Sequence, residues 1–198
     1  MSVLNSILKI FVGNKAKKDL KEISPIVLSI NSLEENYSNI SNDELRTKTN
    51  EFKKEIKSLK KPFQEKIDVL NGNISNESEI EKKEKLYNDI EEIEQNFLDE
   101  LDIYLNKILP DAYCIVRETA KRFSKNDEVT VTANKNDIKL SSEKNYITLY
   151  KDKAKWSNSW DAAGKNIIWD MVHYDVQLFG GIVPVSYTHL TLPTKRSV

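Results

Sequence analysis

The sequence has little of what a metal cage, a disulfide or a membrane span needs. Its 198 residues include one cysteine, Cys114, and two histidines, which excludes an intrachain disulfide and a metal cage of cysteines or histidines. The longest apolar stretch, Val3 to Val12, is interrupted by polar residues and is far too short to cross a bilayer. It also lacks the features of a secretory signal, so we expect a protein of the reducing cytosol.

Glycine and proline are scarce too, with 5 residues each, whereas charged residues make up 31% of the chain. The 30 basic and 31 acidic residues leave a net charge of −1, which argues against a protein that coats a polyanion. A glycine-poor, charge-rich sequence of this kind is typical of a mostly helical protein.

The N-terminal segment Val3–Val12 has apolar residues at helical spacing and ends at Gly13. The lysines that follow suggest an amphipathic helix that docks on anionic lipid or on a partner. A short helix folded back on its own core is the alternative, and the residues alone favour it.

Start and stop signals divide the next hundred residues into further helices. Ser24–Pro25 is typical of a helix start, with a longer, kinked helix as the alternative. The capping box Ser41–Glu44 predicts a helix to about Lys60 that Pro62 ends.

Residues 71–79 are polar and contain glycine, which predicts a loop. A long helix is then predicted from Ile80 to Leu109, with its many carboxylates on solvated faces, and Pro110 is expected to start another helix. Cys114 on that last helix is interpreted as a small core residue and not as a nucleophile.

A change of pattern after Phe123 predicts a small β insertion. Alternation around Val131 is typical of a strand, and Tyr146–Tyr150 and Lys153–Trp156 predict two more strands around a Lys151-Asp152 turn. A short helix is expected over 136–142. Because two strands alone are marginal, we expect the insertion to pack on the helices through Trp156 and Trp160.

The segment Trp169–Val183 reads W-D-M-V-H-Y-D-V-Q-L-F-G-G-I-V. Asp175 is a good N-cap and Gly180-Gly181 a close-packed end, which predicts a single helical turn.

Gln177 offers a carboxamide that can donate and accept hydrogen bonds at once, which suits N6 and N7 of adenine. Tyr174 and Met171 offer flat or soft surfaces for the ring. On chemistry alone, a capped surface turn is the commoner explanation of such a glutamine.

The motif D-V-Q-L-F-G-G resembles the adenine-reading glutamine motif of the SecA family, the motor ATPases of bacterial preprotein export. Three other segments resemble the same family, and Trp156–Lys165 resembles an insertion of a subset of its members. The resemblance covers Met1 to Val183. The three segments are L-N-S-I-L-K-I-F-V-G near the start, the segment Ile40–Lys53 and the helix Ile108–Phe123.

The resemblance implies an α-rich α/β fold: the N-terminal helical part of a RecA-like, helicase-type nucleotide-binding domain with a small β insertion, ending before the parallel sheet. It also implies that Gln177, Tyr174 and Met171 bind ATP, which carries Mg²⁺ in the intact protein. Val172 departs from the Arg of many members, so the resemblance does not imply the polar contact of that Arg near the nucleotide here. No phosphate loop, acidic magnesium motif or arginine finger occurs in the sequence, so we expect no ATP hydrolysis by this chain alone.

The same resemblance implies a protein translocase that couples ATP hydrolysis to export. Its partners would be a membrane protein-conducting channel, preproteins and anionic phospholipids, with a homodimer as one state of the intact protein and no nucleic-acid substrate. It would lie in the cytoplasm and peripherally on the cytoplasmic face of the bacterial inner membrane. Lys9, Lys15, Lys17 and Lys18 are the membrane-binding candidates.

The expected organisation is a helical segment over 1–123, a β insertion over 124–168, the glutamine motif over 169–183 and a tail over 184–198. The tail resembles a translated sequencing-library transposon end, so we interpret it as an artefact; a genuine β-like tail is the alternative. A non-catalytic helical scaffold that binds partner helices is the alternative function.

Overall fold

The computed structural model describes the backbone of residues 14–188 and the side chains of residues 21–183. This part of the chain is rich in helix and carries small antiparallel sheets, as the sequence predicts. The helices are α1 (Asn14–Ser38), α2 (Asn42–Asn76), α3 (Ile80–Lys125), α4 (Lys135–Ser141) and α5 (Asp175–Thr188), and the strands are β1 (Glu128–Thr132), β2 (Ile147–Tyr150), β3 (Lys153–Ser157), β4 (Ser159–Ala162) and β5 (Lys165–Ile168).

The chain divides into two compact units, one of Met1–Leu45 with Pro110–Val198 and one of Arg46–Leu109. In the first unit α1 packs against α5. Buried side chains recur on α1 at helical spacing, and burial of this apolar stripe is the main stabilising contribution. The buried residues of the three helices of this core are Ile23, Val27, Ile30 and Tyr37 on α1, Cys114, Ile115 and Ala120 on α3, and Leu178 and Ile182 on α5.

Arg122 of α3 organises the connection between α1 and α2. Its guanidinium donates to the backbone carbonyl oxygens of Tyr37 (2.9 Å) and Ile40 (2.8 Å). It also donates to the Asn42 side chain (2.8 Å) and forms an ion pair with buried Glu118 (2.8 Å). The arginine therefore satisfies backbone acceptors that α1 leaves without a helical partner at its C-terminal end.

Pro25 lies inside α1, Pro62 inside α2 and Pro110 inside α3. The predicted helix end at Pro62 and the predicted restart at Pro110 are therefore wrong, and the longer α1 is the alternative that the sequence left open. Each proline frees the carbonyl four residues earlier. Those carbonyls belong to exposed residues, 21, 58 and 106, where water can bind them.

The β insertion forms a three-stranded antiparallel sheet in the order β1-β3-β2, followed by the separate β4-β5 hairpin. The first sheet and the short helix α4 agree with the predicted pattern. The β4-β5 hairpin was missed; its turn places Ala163 (φ 54°) and Gly164 (φ 81°) in the left-handed region. Gly164 tolerates that conformation at little cost, and its N–H donates to Asp161 (3.0 Å).

The insertion is attached to the helices by hydrogen bonds. Asp43, at the start of α2, accepts from the backbone N–H (2.7 Å) and the hydroxyl (2.8 Å) of Thr132. Trp156 donates to Asp137 (3.2 Å) within the insertion, and the expected packing of Trp156 and Trp160 on the helices stays a prediction. Asp137 is fully buried and closes a capping box with Asn134 at the start of α4.

The second unit is a hairpin of α2 and α3. The predicted loop over 71–79 is shorter in the structure, because α2 continues to Asn76 and α3 begins at Ile80. The aromatic rings of Phe63 and Phe97 meet between the helices with centroids 5.5 Å apart. The predicted helix Val3–Val12 lies outside the described residues.

Candidate functional site

Helix α5 carries the predicted glutamine motif and is longer than the single turn predicted for it, because it continues through both glycines to Thr188. Leu178 and Ile182, one turn apart, are buried and hold the helix on the core of the first unit. Gly181 lies directly against Tyr113 of α3: a Cβ added there would come within 2.8 Å of the tyrosine hydroxyl oxygen. Gly181 is therefore a close-approach residue and not a helix end.

Gln177 caps the start of α5. Tyr174, not Asp175, takes the N-cap position, since its carbonyl accepts from the backbone N–H groups of Gln177 (2.8 Å) and Leu178 (3.1 Å). The side-chain oxygen of Gln177 accepts in return from the backbone N–H of Tyr174 (2.8 Å). This is the reciprocal half of a capping box, and it fixes the orientation of the carboxamide.

The three predicted adenine-contacting residues lie together. The amide nitrogen of Gln177 is 3.9 Å from the Met171 sulfur, a weak contact. Met171 is 39% exposed and Tyr174 is 73% exposed. The site is therefore open, with a thioether and an aromatic ring accessible on the same short segment as the carboxamide.

The first residue of α5, Asp175, is tied to two other helices. Arg117 of α3 lies 3.4 Å from one carboxylate oxygen, and Asn31 of α1 donates to the other (3.3 Å). Arg117 also donates to Asn31 (2.5 Å), so the three side chains form one network. A carboxylate in the first helical turn is favourable, and this network fixes the helix that carries Gln177.

Sequence reasoning missed Asn31 and Arg117. They lie 144 and 58 residues before Asp175 in the chain, and no local pattern connects them. Val172, where the resemblance puts an arginine in many relatives, is partly buried. The cation that pairs with Asp175 is Arg117, which belongs to α3 and not to the segment that contains Val172.

The donor set fits adenine. A carboxamide oxygen has two lone pairs, and the capping bond of Gln177 uses one of them. The second lone pair and an amide hydrogen remain for the N6 and N7 edge of the base. Capping and base reading are therefore compatible in the same side chain.

The membrane-binding candidates are only partly described. Lys15, Lys17 and Lys18 belong to the first turns of α1, whereas Lys9 lies outside the described residues. No helix within residues 14–188 is long and apolar enough to span a bilayer. The same part of the chain holds no group of three potential metal-ligating side chains.

Comparison with known proteins gives consistent matches. A family model described as the SecA DEAD-like domain matches residues 8–188. The protein translocase subunit SecA of Christiangramia forsetii is 49% identical over 182 residues, and that of Flavobacterium psychrophilum is 48% identical over 183 residues; each match covers 92% of this chain. The counterpart of Bacteroides fragilis is 42% identical over 179 residues, or 90% of this chain.

The chain spans 16% of the length of each of these relatives. No solved structure matches it significantly. The family match thus covers nearly the whole chain and includes the segment 169–183 that carries the glutamine motif.

Proposed function

The chain belongs to the SecA family, and from that premise we propose that residues 169–183 form the adenine-reading element of an ATP-driven protein translocase. The observation that carries the proposal is the start of α5, where Gln177, Tyr174 and Met171 lie together on an exposed surface. The surrounding helices would belong to a RecA-like nucleotide-binding domain. ATP, with Mg²⁺, would supply the free energy for moving preproteins through a membrane channel.

The residues of this chain would recognise only the base. Gln177 would pair with N6 and N7 while Tyr174 and Met171 cover the ring. The capping hydrogen bond from the Tyr174 N–H and the network of Asp175 hold the glutamine in place. Phosphate contacts normally supply most of the affinity for a nucleotide, so we expect weak binding and no hydrolysis from these residues alone.

A chimera tests the role of Gln177. Residues 1–183 would replace the matching region of the Christiangramia forsetii relative, and binding of ATP and GTP would be measured by equilibrium dialysis. Gln177→Ala leaves two polar atoms of the base unpaired, which costs about 1–3 kcal/mol, or about 5- to 150-fold in affinity for ATP. The loss for GTP should be smaller, because guanine carries O6 where adenine carries an amino group.

The capping bond requires a matched control. Gln177→Glu keeps an acceptor for the backbone N–H of Tyr174 but cannot donate to N7, so it should retain the helix start and still lose ATP affinity. Equal losses for ATP and GTP in both variants would mean that Gln177 acts on the fold and not on the base.

Membrane attachment is a separate part of the proposal. Lys9, Lys15, Lys17 and Lys18 would attract the N-terminal segment to anionic phospholipid on the cytoplasmic face of the inner membrane, at about 1 kcal/mol for each basic residue. Flotation with vesicles should therefore require anionic lipid and weaken with salt. Equal binding to neutral vesicles, or no loss on deleting residues 1–12, would exclude this role.

A further inference from the structure

The first turn of α5 has a core side and an exposed side. Asp175, Leu178 and Ile182 follow at intervals of three and four residues, so they share the side that lies on the core of the first unit. Gln177 is exposed and lies two residues after Asp175, which is a rotation of about 200° around the helix axis. The residue that the network holds and the residue proposed to read the base therefore lie on nearly opposite sides of one turn.

Rotation of this turn about its own axis would displace the carboxamide of Gln177. A helix with its side chains has a radius of about 5–6 Å, so a rotation of about 20° moves a group at its surface by about 2 Å. A hydrogen bond allows a range of only about 0.5 Å between its heavy atoms. Burial of Leu178 and Ile182 holds the helix on the core but is non-directional. Directional contacts are therefore needed to select one rotation.

Asn31 supplies a contact with a defined direction. Its amide nitrogen donates to one carboxylate oxygen of Asp175 (3.3 Å), and its amide oxygen accepts from Arg117 (2.5 Å). Because a carboxamide has a donor end and an acceptor end, these two partners fix its orientation. Arg117 also lies 3.4 Å from the other oxygen of Asp175. Both oxygens of Asp175 are thus held, one from α1 and one from α3.

The contacts of Arg117 indicate that stability alone does not explain the network. Its side chain is 18% exposed, and within the described part of the chain its buried Nε has no hydrogen-bond partner. The 3.4 Å separation from Asp175 is longer than a charge-assisted hydrogen bond. Burial of a guanidinium costs free energy that such incomplete contacts offset poorly, and apolar residues in place of a buried ion pair are often as stable. The place of Arg117 behind the start of α5 favours a role in the adjacent site.

We propose that Arg117 and Asn31 are positioning residues that set the preference for ATP over GTP by acting through Asp175 on Gln177. They would fix the rotation of the first turn of α5 and so hold the carboxamide at the N6 and N7 edge of adenine. This inference rests on the proposed function of Gln177. It predicts that a change on the core side of the helix lowers affinity for ATP more than affinity for GTP.

The chimera described above tests the inference through the ratio of the GTP to the ATP dissociation constant. Arg117→Met removes the guanidinium and should lower this ratio at least about threefold, a part of the effect expected for Gln177→Ala. Asn31→Asp replaces the donor to Asp175 with an acceptor and should lower the ratio as well. If Arg117→Met does not fold, Arg117→Lys keeps the charge but loses the planar fork, and takes its place.

An exchange of two side chains provides a rescue. In the double variant Asn31→Asp with Asp175→Asn, the new amide at position 175 can donate to the new carboxylate at position 31, and both positions can still accept from Arg117. The net charge of the site is unchanged. The double variant should recover most of the ratio that Asn31→Asp loses.

Lys121→Met is the matched control. Lys121 of α3 forms an ion pair with Glu34 of α1 (2.8 Å). The two residues lie four and three positions after Arg117 and Asn31, so this ion pair joins the same two helices one turn further along. Its removal should leave the ratio of the two dissociation constants unchanged. Urea unfolding verifies that each variant is folded.

Gln177→Ala in the same chimera separates this inference from the proposed function. If Gln177→Ala lowers the ratio and Arg117→Met does not, base reading stands and the positioning role is wrong. If Gln177→Ala leaves the ratio unchanged, both are wrong. Equal losses for ATP and GTP in Arg117→Met, an equal change in Lys121→Met, or a folded double variant without recovery would each overturn the positioning role.

Discussion

Gly181→Ala should destabilise the first unit, although alanine is the better helix former. Gly181 lies in the middle of α5, where replacement by alanine normally gains about 1 kcal/mol. Here the new methyl group would lie 2.8 Å from the hydroxyl oxygen and 3.1 Å from Cε1 of Tyr113. Both distances are shorter than van der Waals contact, so the ring or the helix must move.

The expected cost follows from these distances. Overpacking of a core costs about 1–3 kcal/mol, which outweighs or offsets the gain in helix propensity. Gly180 provides the matched control, because a Cβ at that position would meet no atom within 4 Å. Gly180→Ala should raise the free energy of unfolding, and the two variants should differ by about 1–3 kcal/mol.

Urea unfolding followed by tryptophan fluorescence measures this difference. Trp156, Trp160 and Trp169 all belong to the first unit, so the signal reports on the part of the chain that contains α5. Tyr113→Phe removes the nearest atom and should recover part of the loss in the Gly181→Ala background. Equal stability of the two glycine variants would refute the close approach of α5 to Tyr113.

Other predictions concern buried or paired groups of the first unit. Burial, with nearby acidic groups, raises the pKa of the Cys114 thiol to about 11, so alkylation at pH 8 should be about 10²-fold slower than for an exposed cysteine and recover in urea; an ordinary rate in the folded protein would contradict its burial. The hydrogen bond from Lys121 lowers the pKa of Glu34 below 4.5, so their pairing stabilises the fold above pH 4.5 and is lost as pH falls through the folded-state pKa. Lys121→Met should therefore reduce the acid sensitivity of the urea midpoint, and an unchanged pH profile would rule out that pairing. Asp137→Asn should lower the free energy of unfolding by about 1–3 kcal/mol and alter the Trp156 emission. The reason is that the amide nitrogen, itself a donor, would face the N–H of either Asn134 or Trp156. Unchanged stability would show that this buried carboxylate is dispensable.

Local patterns predicted the elements that depend on neighbouring residues. The strands around Val131 and Trp156 and the short helix α4 follow from alternation and capping chemistry, which act over a few residues. Gln177, Tyr174 and Met171 lie within seven residues of one another, so their proximity also followed from the sequence.

The errors arise where tertiary context decides. Pro62 was expected to end a helix, yet the apolar spacing continues beyond it through Phe63 and Ile67, and burial of that stripe outweighs one lost hydrogen bond. The β4-β5 hairpin was missed because its two short strands do not alternate between buried apolar and exposed polar residues. The Arg117–Asp175 contact could not be predicted, because it joins helices far apart in sequence.

The expected boundaries of the helical segment, the β insertion, the glutamine motif and the tail stay predictions. Helix α5 extends to Thr188, five residues into the expected tail. Residues 189–198 lie outside the described part of the chain.

The arginine that joins α1 to α2 has a consequence for how this sequence can vary. Helices commonly end with a glycine, which constrains the residue at the helix end itself. Here that constraint has moved to Arg122, about 80 positions away, which binds backbone oxygens of Tyr37 and Ile40. Backbone acceptors are the same for every residue type, so these hydrogen bonds place no constraint of their own on the side chains at 37 and 40. Tyr37 is constrained instead by its burial and by its hydroxyl, which donates to Asp111 (2.6 Å). A lysine at 122 could not reach the same acceptors at once. Sequence variation at the turn after α1 therefore depends on an arginine at position 122 of α3.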